Sequence, residues 1–167
     1  MKILFPCRLY SEIFDISDEY NSQLKCEILS LTPRAANNFE VRTTYMKTHI
    51  RHNPVFSEFI SKIEKEASQY AGQAVSVSEI WANIAEYGSF HVIHHHSPSP
   101  LSGVYYVDSP PNLHLKFISD KDVMNGNEYL EPIETKKLLL FEGWVLHGHD
   151  PIPTQEPKIS LAFNFAY

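Results

Sequence analysis

Residues 75–118 read VSVSEIWANIAEYGSFHVIHHHSPSPLSGVYYVDSPPNLHLKFI. Short runs rich in β-branched and aromatic residues alternate with clusters of Gly, Pro, Ser and Asn, which is typical of strands separated by turns. The same pattern continues beyond residue 118. We predict strands over 75–85, 90–96, 101–108, 113–118, 129–134, 138–141, 144–149 and 159–166. Strands of this length and spacing favour a sandwich or barrel, and the best single architecture is a double-stranded β-helix (jelly roll, cupin-like).

The sequence before residue 74 has helical periodicity instead. Apolar residues recur at helical spacing over 17–31, and Pro33 would end that helix. In a second helix Asn53 is a cap, Pro54 fits the first helical position and Gly72 is a stop signal. An edge strand is predicted within 3–14 and an irregular stretch over 32–52. We therefore expect one domain over 1–167, mainly β with flanking N-terminal helices, in which 1–73 precedes a jelly-roll core over 74–167.

Composition limits the partners. A chain of 167 residues can bury one sizeable core, and its net charge of -6 gives no overall attraction for nucleic acid. Cys7 and Cys26 are too few for a disulfide scaffold. The first apolar run is broken by Pro6 and Arg8, so it is too short for a signal sequence or a membrane span. We expect a cytoplasmic protein with no membrane and no nucleic-acid partner.

Histidines form two clusters, and these clusters predict a metal site. On a strand, residues i and i+2 face the same way, so His94 and His96 would project together, with His95 on the other face. A third ligand must come from elsewhere. His147 and His149 share a face, so geometry alone does not choose between them. Three protein ligands with open coordination positions are typical of a catalytic metal site.

The ligand type leaves the metal open. Three histidines suit Zn(II), Fe(II) or Cu(II), whereas the usual signature of Fe(II) oxygenases is two histidines and one carboxylate. Asp120 and Asp150 are available carboxylates, but neither has the expected offset from His94.

Four stretches together resemble a known family. They are 81–107 (WANIAEYGSFHVIHHHSPSPLSGVYYV), 113–120 (LHLKFISD), 138–153 (LLLFEGWVLHGHDPIP) and 157–165 (PKISLAFNF). They resemble the 2-oxoglutarate-Fe(II) oxygenases of bacteria and phages, an H-x-H variant of the double-stranded β-helix oxygenases, over about residues 79 to 165. The resemblance implies a non-haem Fe(II)- and 2-oxoglutarate-dependent dioxygenase that hydroxylates an unidentified substrate.

Carried over position by position, the resemblance makes His94 and His96 the paired iron ligands. It makes His147, which follows WVL, the distal ligand, and His149 then stands where the family has an apolar residue. Lys158 stands in place of the family's usual Arg, which binds the distal carboxylate of 2-oxoglutarate. A lysine keeps the positive charge but loses the two-pronged fork that matches a carboxylate.

Other residues have weaker assignments. Tyr106 resembles the strand Tyr that assists cosubstrate binding in related prolyl hydroxylases. Asn83 and Trp81 alternate on a strand and would line the cosubstrate pocket, although a core Trp is the commoner outcome. Asn164 is similarly ambiguous. His91 and His95 are expected to lie behind the ligands or face solvent.

Two alternatives remain. One is a different cupin-like metalloenzyme with a three-His site: a cosubstrate-free dioxygenase, an isomerase or a Zn hydrolase. It gains if Lys158 and Tyr106 do not point toward the metal. The other is a binding or virion-associated β-sandwich with incidental histidines, which predicts that His94 and His147 lie beyond coordination reach. The substrate stays open between a small molecule and a protein residue, and the sequence allows a homo-oligomer without predicting one.

Overall fold

The computed structural model describes residues 7–31, 34–35, 41–46, 50–119 and 128–167. The helices of these residues are α1 (Asp18–Ser30) and α2 (Ser57–Ala71), with short 3-10 helices at Ile50–His52 and Pro54–Phe56. The strands are β1 (Leu9–Ile13), β2 (Arg34–Ala35), β3 (Val41–Thr43), β4 (Ser76–Ala85), β5 (His91–His94), β6 (Leu101–Asp108), β7 (Leu113–Ile118), β8 (Glu128–Ile133), β9 (Lys137–Glu142), β10 (Leu146–His149) and β11 (Lys158–Ala166).

The strands form two antiparallel sheets that confirm the predicted jelly roll. The order is β1-β9-β6-β11-β4-β3-β2 in the larger sheet and β5-β10-β7-β8 in the smaller one. Every strand predicted after residue 74 is present, with each end within two residues of its prediction. The larger differences are at the histidine-bearing strands, because β5 ends at His94 and β10 begins only at Leu146.

Local side-chain and backbone chemistry explains three of the helix boundaries, although α2 begins at Ser57 and not at the predicted Pro54. The Ser17 hydroxyl caps α1 by accepting a hydrogen bond from the Tyr20 amide, at 3.1 Å. The Asn53 side chain accepts from the Val55 amide at 3.0 Å, and Pro54 starts a 3-10 turn that leads into α2. Gly72 ends α2 with a φ of 71°, a left-handed conformation that favours glycine. Both helices pack on the outer face of the larger sheet.

Part of the N-terminal region extends the larger sheet. β1 is an edge strand that pairs with β9, as predicted, while residues 1–6 and Pro33 lie outside the described residues. The prediction of an irregular stretch over 32–52 is wrong where β2 and β3 pair with each other and β3 pairs with β4. Strands of two and three residues are too short to show an alternating pattern. No helix in the described part of the chain is long and apolar enough to cross a membrane.

The central strand β11 has two different faces, and this alternation positions the site. Its outer face is apolar and packs against the helices through Ile159, Leu161, Phe163 and Phe165. Its inner face carries Lys158, Ser160 and Asn164, all buried. Residues paired across an antiparallel sheet point to the same side. Ala85 and Asn83 of β4 and Tyr106 of β6 therefore share the inner face, between the two sheets.

Candidate functional site

Three histidines meet at one end of the space between the sheets. His94, the last residue of β5, lies directly opposite His147 of β10. Their ring centroids are 4.5 Å apart, and His96 lies 5.0 Å from His94 and 5.1 Å from His147. One nitrogen from each of the three rings lies within 4.8 Å of the other two. These three side chains could therefore hold one metal ion, and His94 and His147 are within coordination reach of each other.

His96 reaches this cluster by a different route from the one predicted. The chain leaves β5 after His94, so strand alternation does not place His96. A backbone hydrogen bond of 2.7 Å from the His96 amide to the Gly143 carbonyl holds the turn instead. The ring of Trp81 lies 5.6 Å from that of His96 and supports it from β4. His95 points to solvent, which is one of the two outcomes expected for it.

Two of the three rings are oriented by backbone carbonyls. The Nδ1 of His94 lies 2.7 Å from the Val92 carbonyl, and the Nδ1 of His147 lies 2.9 Å from the Val145 carbonyl. A carbonyl only accepts, so Nδ1 carries the proton in both rings. The Nε2 lone pairs of His94 and His147 are therefore free for a metal, an arrangement that is common around metal-binding histidines.

Two of the three clustered imidazoles, those of His96 and His147, stay neutral at neutral pH. Burial, together with repulsion from His94, lowers the pKa of His147 to about 3 and that of His96 to about 4. Burial in an apolar environment disfavours the charged form of an imidazole. A metal competes with protons for the same lone pairs, so rings that stay neutral are ready to bind one.

His149 lies outside this cluster, beside His91. Its Nδ1 donates to the Asp150 carbonyl at 2.8 Å, and its ring centroid is 4.8 Å from that of His91. The Nε2 of His149 is buried and has no hydrogen-bond partner among the described residues. Of the two histidines that the sequence left open, the structure brings His147, and not His149, together with His94 and His96.

Lys158 and Tyr106 lie close together on the inner face of the larger sheet. The Lys158 side chain is buried, at 3% exposure, and forms no ion pair with any described carboxylate. Burial lowers the pKa of its amine to about 7. The Nζ of Lys158 lies 5.8 Å from the centre of the Tyr106 ring. The hydroxyl of Tyr106 is buried without a hydrogen-bond partner in the described part of the chain. The two groups therefore offer unused donors to a buried anion.

The other predicted polar residues are separated along the same face. Asn83 is buried at 6% exposure and lies opposite Ser160, two positions along β11 from Lys158 and on the same face. Asn164 is at the far end of β11, where its amide donates to Glu79 at 3.0 Å and its carbonyl accepts from Ser102 at 2.8 Å. Asn164 is therefore occupied by structural hydrogen bonds, whereas Asn83 lies beside the lysine.

Gly148 is a residue whose role the sequence analysis did not identify. A Cβ at this position would lie 2.6 Å from the His91 carbonyl oxygen and 3.0 Å from that of Val92. The missing side chain lets β5 approach β10 closely enough for His94 to face His147. The signal was present in the sequence, because a glycine between two histidines on a buried strand indicates a close backbone approach.

We expect Gly148→Ala to weaken metal binding because the added methyl pushes β5 away from β10. Such overpacking costs about 2 kcal/mol of unfolding free energy. Thermal unfolding and a Co(II) titration measure the two effects. The matched control is Gly72→Ala, which strains the end of α2 by about 1 kcal/mol and is remote from the histidines. Equal Co(II) affinity in both variants would show that the close approach is not needed.

The comparisons with known proteins identify the family from the sequence and the fold from solved structures. The sequence model of the family described as "Putative 2OG-Fe(II) oxygenase" matches residues 79–164. No curated protein sequence matches the chain. Among solved structures, HygX from Streptomyces hygroscopicus with nickel and 2-oxoglutarate bound superposes with a TM-score of 0.77 at 11% identity, covering 95% of this chain and 82% of HygX.

Two further structures have the same fold. A Pseudomonas putida prolyl-4-hydroxylase has a TM-score of 0.70 at 13% identity, covering 94% of this chain and 91% of its own. The epimerase SnoN, in complex with Fe3+, alpha ketoglutarate and nogalamycin RO, has a TM-score of 0.77 at 10% identity, covering 94% of this chain and 78% of its own.

Proposed function

Because the chain belongs to the 2OG-Fe(II) oxygenase family, we propose that His94, His96 and His147 hold Fe(II) and that Lys158 binds 2-oxoglutarate. Family membership confirms the resemblance found in the sequence, and with it a 2-oxoglutarate/Fe(II)-dependent enzyme whose cofactors are Fe(II) and 2-oxoglutarate. The alternatives of an unrelated cupin-like metalloenzyme and of a binding module with incidental histidines are therefore not supported.

The donor set fits Fe(II) in charge as well as in position. Three neutral imidazoles leave the full charge of the ion uncompensated, and the 2-oxoglutarate dianion offsets it. The Nδ1 hydrogen bonds of His94 and His147 fix the rings so that each offers Nε2. We place His96 where the usual Fe(II) signature has a carboxylate, so none of the three proposed ligands brings a negative charge to the metal.

The observation that carries the proposal is the pair of unused donors at Lys158 and Tyr106. The buried Lys158 amine has no counter-ion, and the buried Tyr106 hydroxyl no hydrogen-bond partner, among the described residues, which is costly unless a ligand binds both groups. A carboxylate accepts from both. We assign the far carboxylate of 2-oxoglutarate to Lys158 and Tyr106, with Asn83 as a further contact from β4. The Lys158 ammonium can bind this carboxylate in place of the family's Arg, because Tyr106 supplies the second hydrogen-bond donor that a guanidinium would provide.

The protein's part in the reaction is to bind, orient and exclude water. When bound, Fe(II) and 2-oxoglutarate supply the activation of dioxygen that oxidises a substrate carbon. Lys158 and Tyr106 anchor the cosubstrate at its far end, and the histidines define the other end. The apolar side chains around Tyr106, including Leu115 and Leu139, keep the space between them dry.

We expect 2-oxoglutarate binding to take up a proton at about pH 8. The free site then holds mostly neutral Lys158, since burial lowers the pKa of this amine to about 7. A bound carboxylate favours the ammonium and raises that pKa, so the amine gains a proton on binding. At about pH 6 the amine is already charged before binding, so 2-oxoglutarate binding no longer takes up a proton. Anaerobic calorimetry of the Fe(II) protein, in buffers of different ionisation enthalpy, measures the proton count and the affinity.

The same titrations test the proposed function itself. A saturable site for one 2-oxoglutarate per chain that requires Fe(II) is the expected result, and absence of binding would refute the proposal. Lys158→Met is the control for the proton count, since it removes the titrating amine. Unchanged proton uptake in Lys158→Met would assign the titration to another group.

We propose that the primary substrate is a small molecule. HygX and SnoN were crystallised with hygromycin B and nogalamycin RO, respectively, which supports this class over a protein residue. We also propose a cytoplasmic location, because Cys7 and Cys26 are exposed free thiols, which suit a reducing compartment.

A further inference from the structure

A cleft of about 600 Å³ opens between the outer strands of the two sheets. β1 is an edge strand of the larger sheet, and β8 is an edge strand of the smaller one. The hydrogen bond from the Ser11 hydroxyl to Glu131 joins these two edges. The lining includes Leu9, Ser11, Phe117, Tyr129, Glu131 and Phe141, and Cys7 and Arg8 complete it.

The inner wall of this cleft touches the metal cluster. The ring of Phe141 lies 4.7 Å from that of His147, and the ring of Phe117 lies 6.2 Å from it. Phe117 is also the strand partner of both His147 and Tyr129. Neither Lys158 nor Tyr106 lines the cleft. A molecule in the cleft would therefore contact the aromatic rings that pack against His147. It would lie outside the site assigned to 2-oxoglutarate.

The charged side chains that the structure describes around the cleft are already paired. Glu131, only 5% exposed, accepts from the Tyr129 hydroxyl at 2.8 Å and from the Lys137 amine at 2.8 Å, in addition to Ser11. Arg8, at the rim, pairs with Glu142 at 3.3 Å. A charged ligand would lose its hydration without gaining an unpaired counter-ion from the described lining residues. The surface that remains for an occupant is largely aromatic, from Phe117, Phe141 and Tyr129.

We propose that this cleft is the primary-substrate site and that it takes an uncharged, ring-bearing small molecule. The inference rests on the function proposed above and adds the substrate class. Aromatic walls favour a ring body, which they contact by stacking or edge-to-face packing. The volume is in the range of sites for small organic ligands. The paired charges select against a phosphorylated or otherwise ionic substrate, which the sequence alone left open.

Three probes with the same ring body and different charges test the inference. 2-Naphthylmethanol, 2-naphthoate and 2-naphthylmethylammonium are titrated anaerobically into the Fe(II)–2-oxoglutarate protein, with binding followed by NMR. The alcohol is expected to bind at least about tenfold more tightly than either ion. Equal or tighter binding of an ion, or no binding of the alcohol, would overturn the inference.

Two variants place the probe in the cleft. Glu131→Gln leaves Lys137 without its carboxylate. The affinity for the naphthoate is therefore expected to rise about tenfold relative to the affinity for the alcohol. Leu9→Trp fills the cleft and is expected to remove alcohol binding. Its matched control is Ile13→Trp on the same strand, at an exposed position outside the cleft. An unchanged naphthoate-to-alcohol ratio in Glu131→Gln, or equal alcohol binding in both Trp variants, would refute the location.

The same samples separate the two proposals. The visible absorption band of the Fe(II)–2-oxoglutarate complex is recorded before each titration. If the band is absent, the proposed function fails. If the band is present and the alcohol does not bind, only the assignment of the cleft fails.

Discussion

The His147→Ala protein is expected to bind Fe(II) at least about 100-fold more weakly than the parent chain. His147 is buried, faces His94 across the β5–β10 pair and is oriented by the Val145 carbonyl. Its loss leaves two imidazoles, of which His96 lies in the turn after β5 and not on a strand. Anaerobic Fe(II) titration with measurement of bound iron gives the affinity and the stoichiometry.

His149→Ala is the matched control for this prediction. It lies two residues further along the same strand, is equally buried at 6% exposure, and its removal takes away an imidazole of the same kind. Iron stoichiometry is expected to survive in His149→Ala and to be lost in His147→Ala. The reverse result would assign the distal ligand to His149, and unchanged stoichiometry in both would remove this strand from the metal site.

The second large effect is expected for Lys158→Met, which should weaken 2-oxoglutarate binding by about 10- to 100-fold with little change in Fe(II) binding. Methionine keeps the length and packing of the side chain and removes only the charge and its donors. The ligand-free variant should also unfold at a higher temperature, because burial opposes the charge of Lys158, as its pKa of about 7 indicates. Calorimetry and thermal unfolding measure the two changes.

Lys158→Arg tests the departure from the family pattern. Arginine carries the same charge and is the residue that the family usually has at this position, so we expect it to keep most of the 2-oxoglutarate affinity. If Lys158→Met binds 2-oxoglutarate as tightly as the parent chain, the anchoring role is refuted. If the Fe(II) affinity of Lys158→Met falls as much as its 2-oxoglutarate affinity, Lys158 supports the metal site and does not bind the cosubstrate.

The sequence predicted the features that depend on local periodicity. Alternating strands, the helix cap at Asn53 and the stop at Gly72 are local signals, and the structure has them. β2 and β3 were missed because two or three residues carry no period. His96 was grouped with His94 for the wrong reason, since a backbone contact to Gly143 in a distant turn positions it.

The remaining features depend on contacts between distant segments. Only the pairing of β5 with β10 separates His147 from His149, and this pairing depends on the small size of Gly148. The cleft depends on the hydrogen bond between Ser11 and Glu131, which are 120 residues apart in sequence. Nothing in either segment indicates the other. Lys158 could be predicted as a cosubstrate residue from the family pattern, whereas its burial without a counter-ion required the packed sheets.

The most direct test of the central claim is an anaerobic titration of the protein with Fe(II) and then 2-oxoglutarate, followed by visible absorption. A three-histidine Fe(II) site next to Lys158 and Tyr106 predicts a weak metal-to-ligand charge-transfer band. The band should appear only when both are present and saturate at one 2-oxoglutarate per iron. It should be absent in His147→Ala and need higher 2-oxoglutarate in Lys158→Met. A parent protein that binds Fe(II) but gives no band at saturating 2-oxoglutarate would contradict the account.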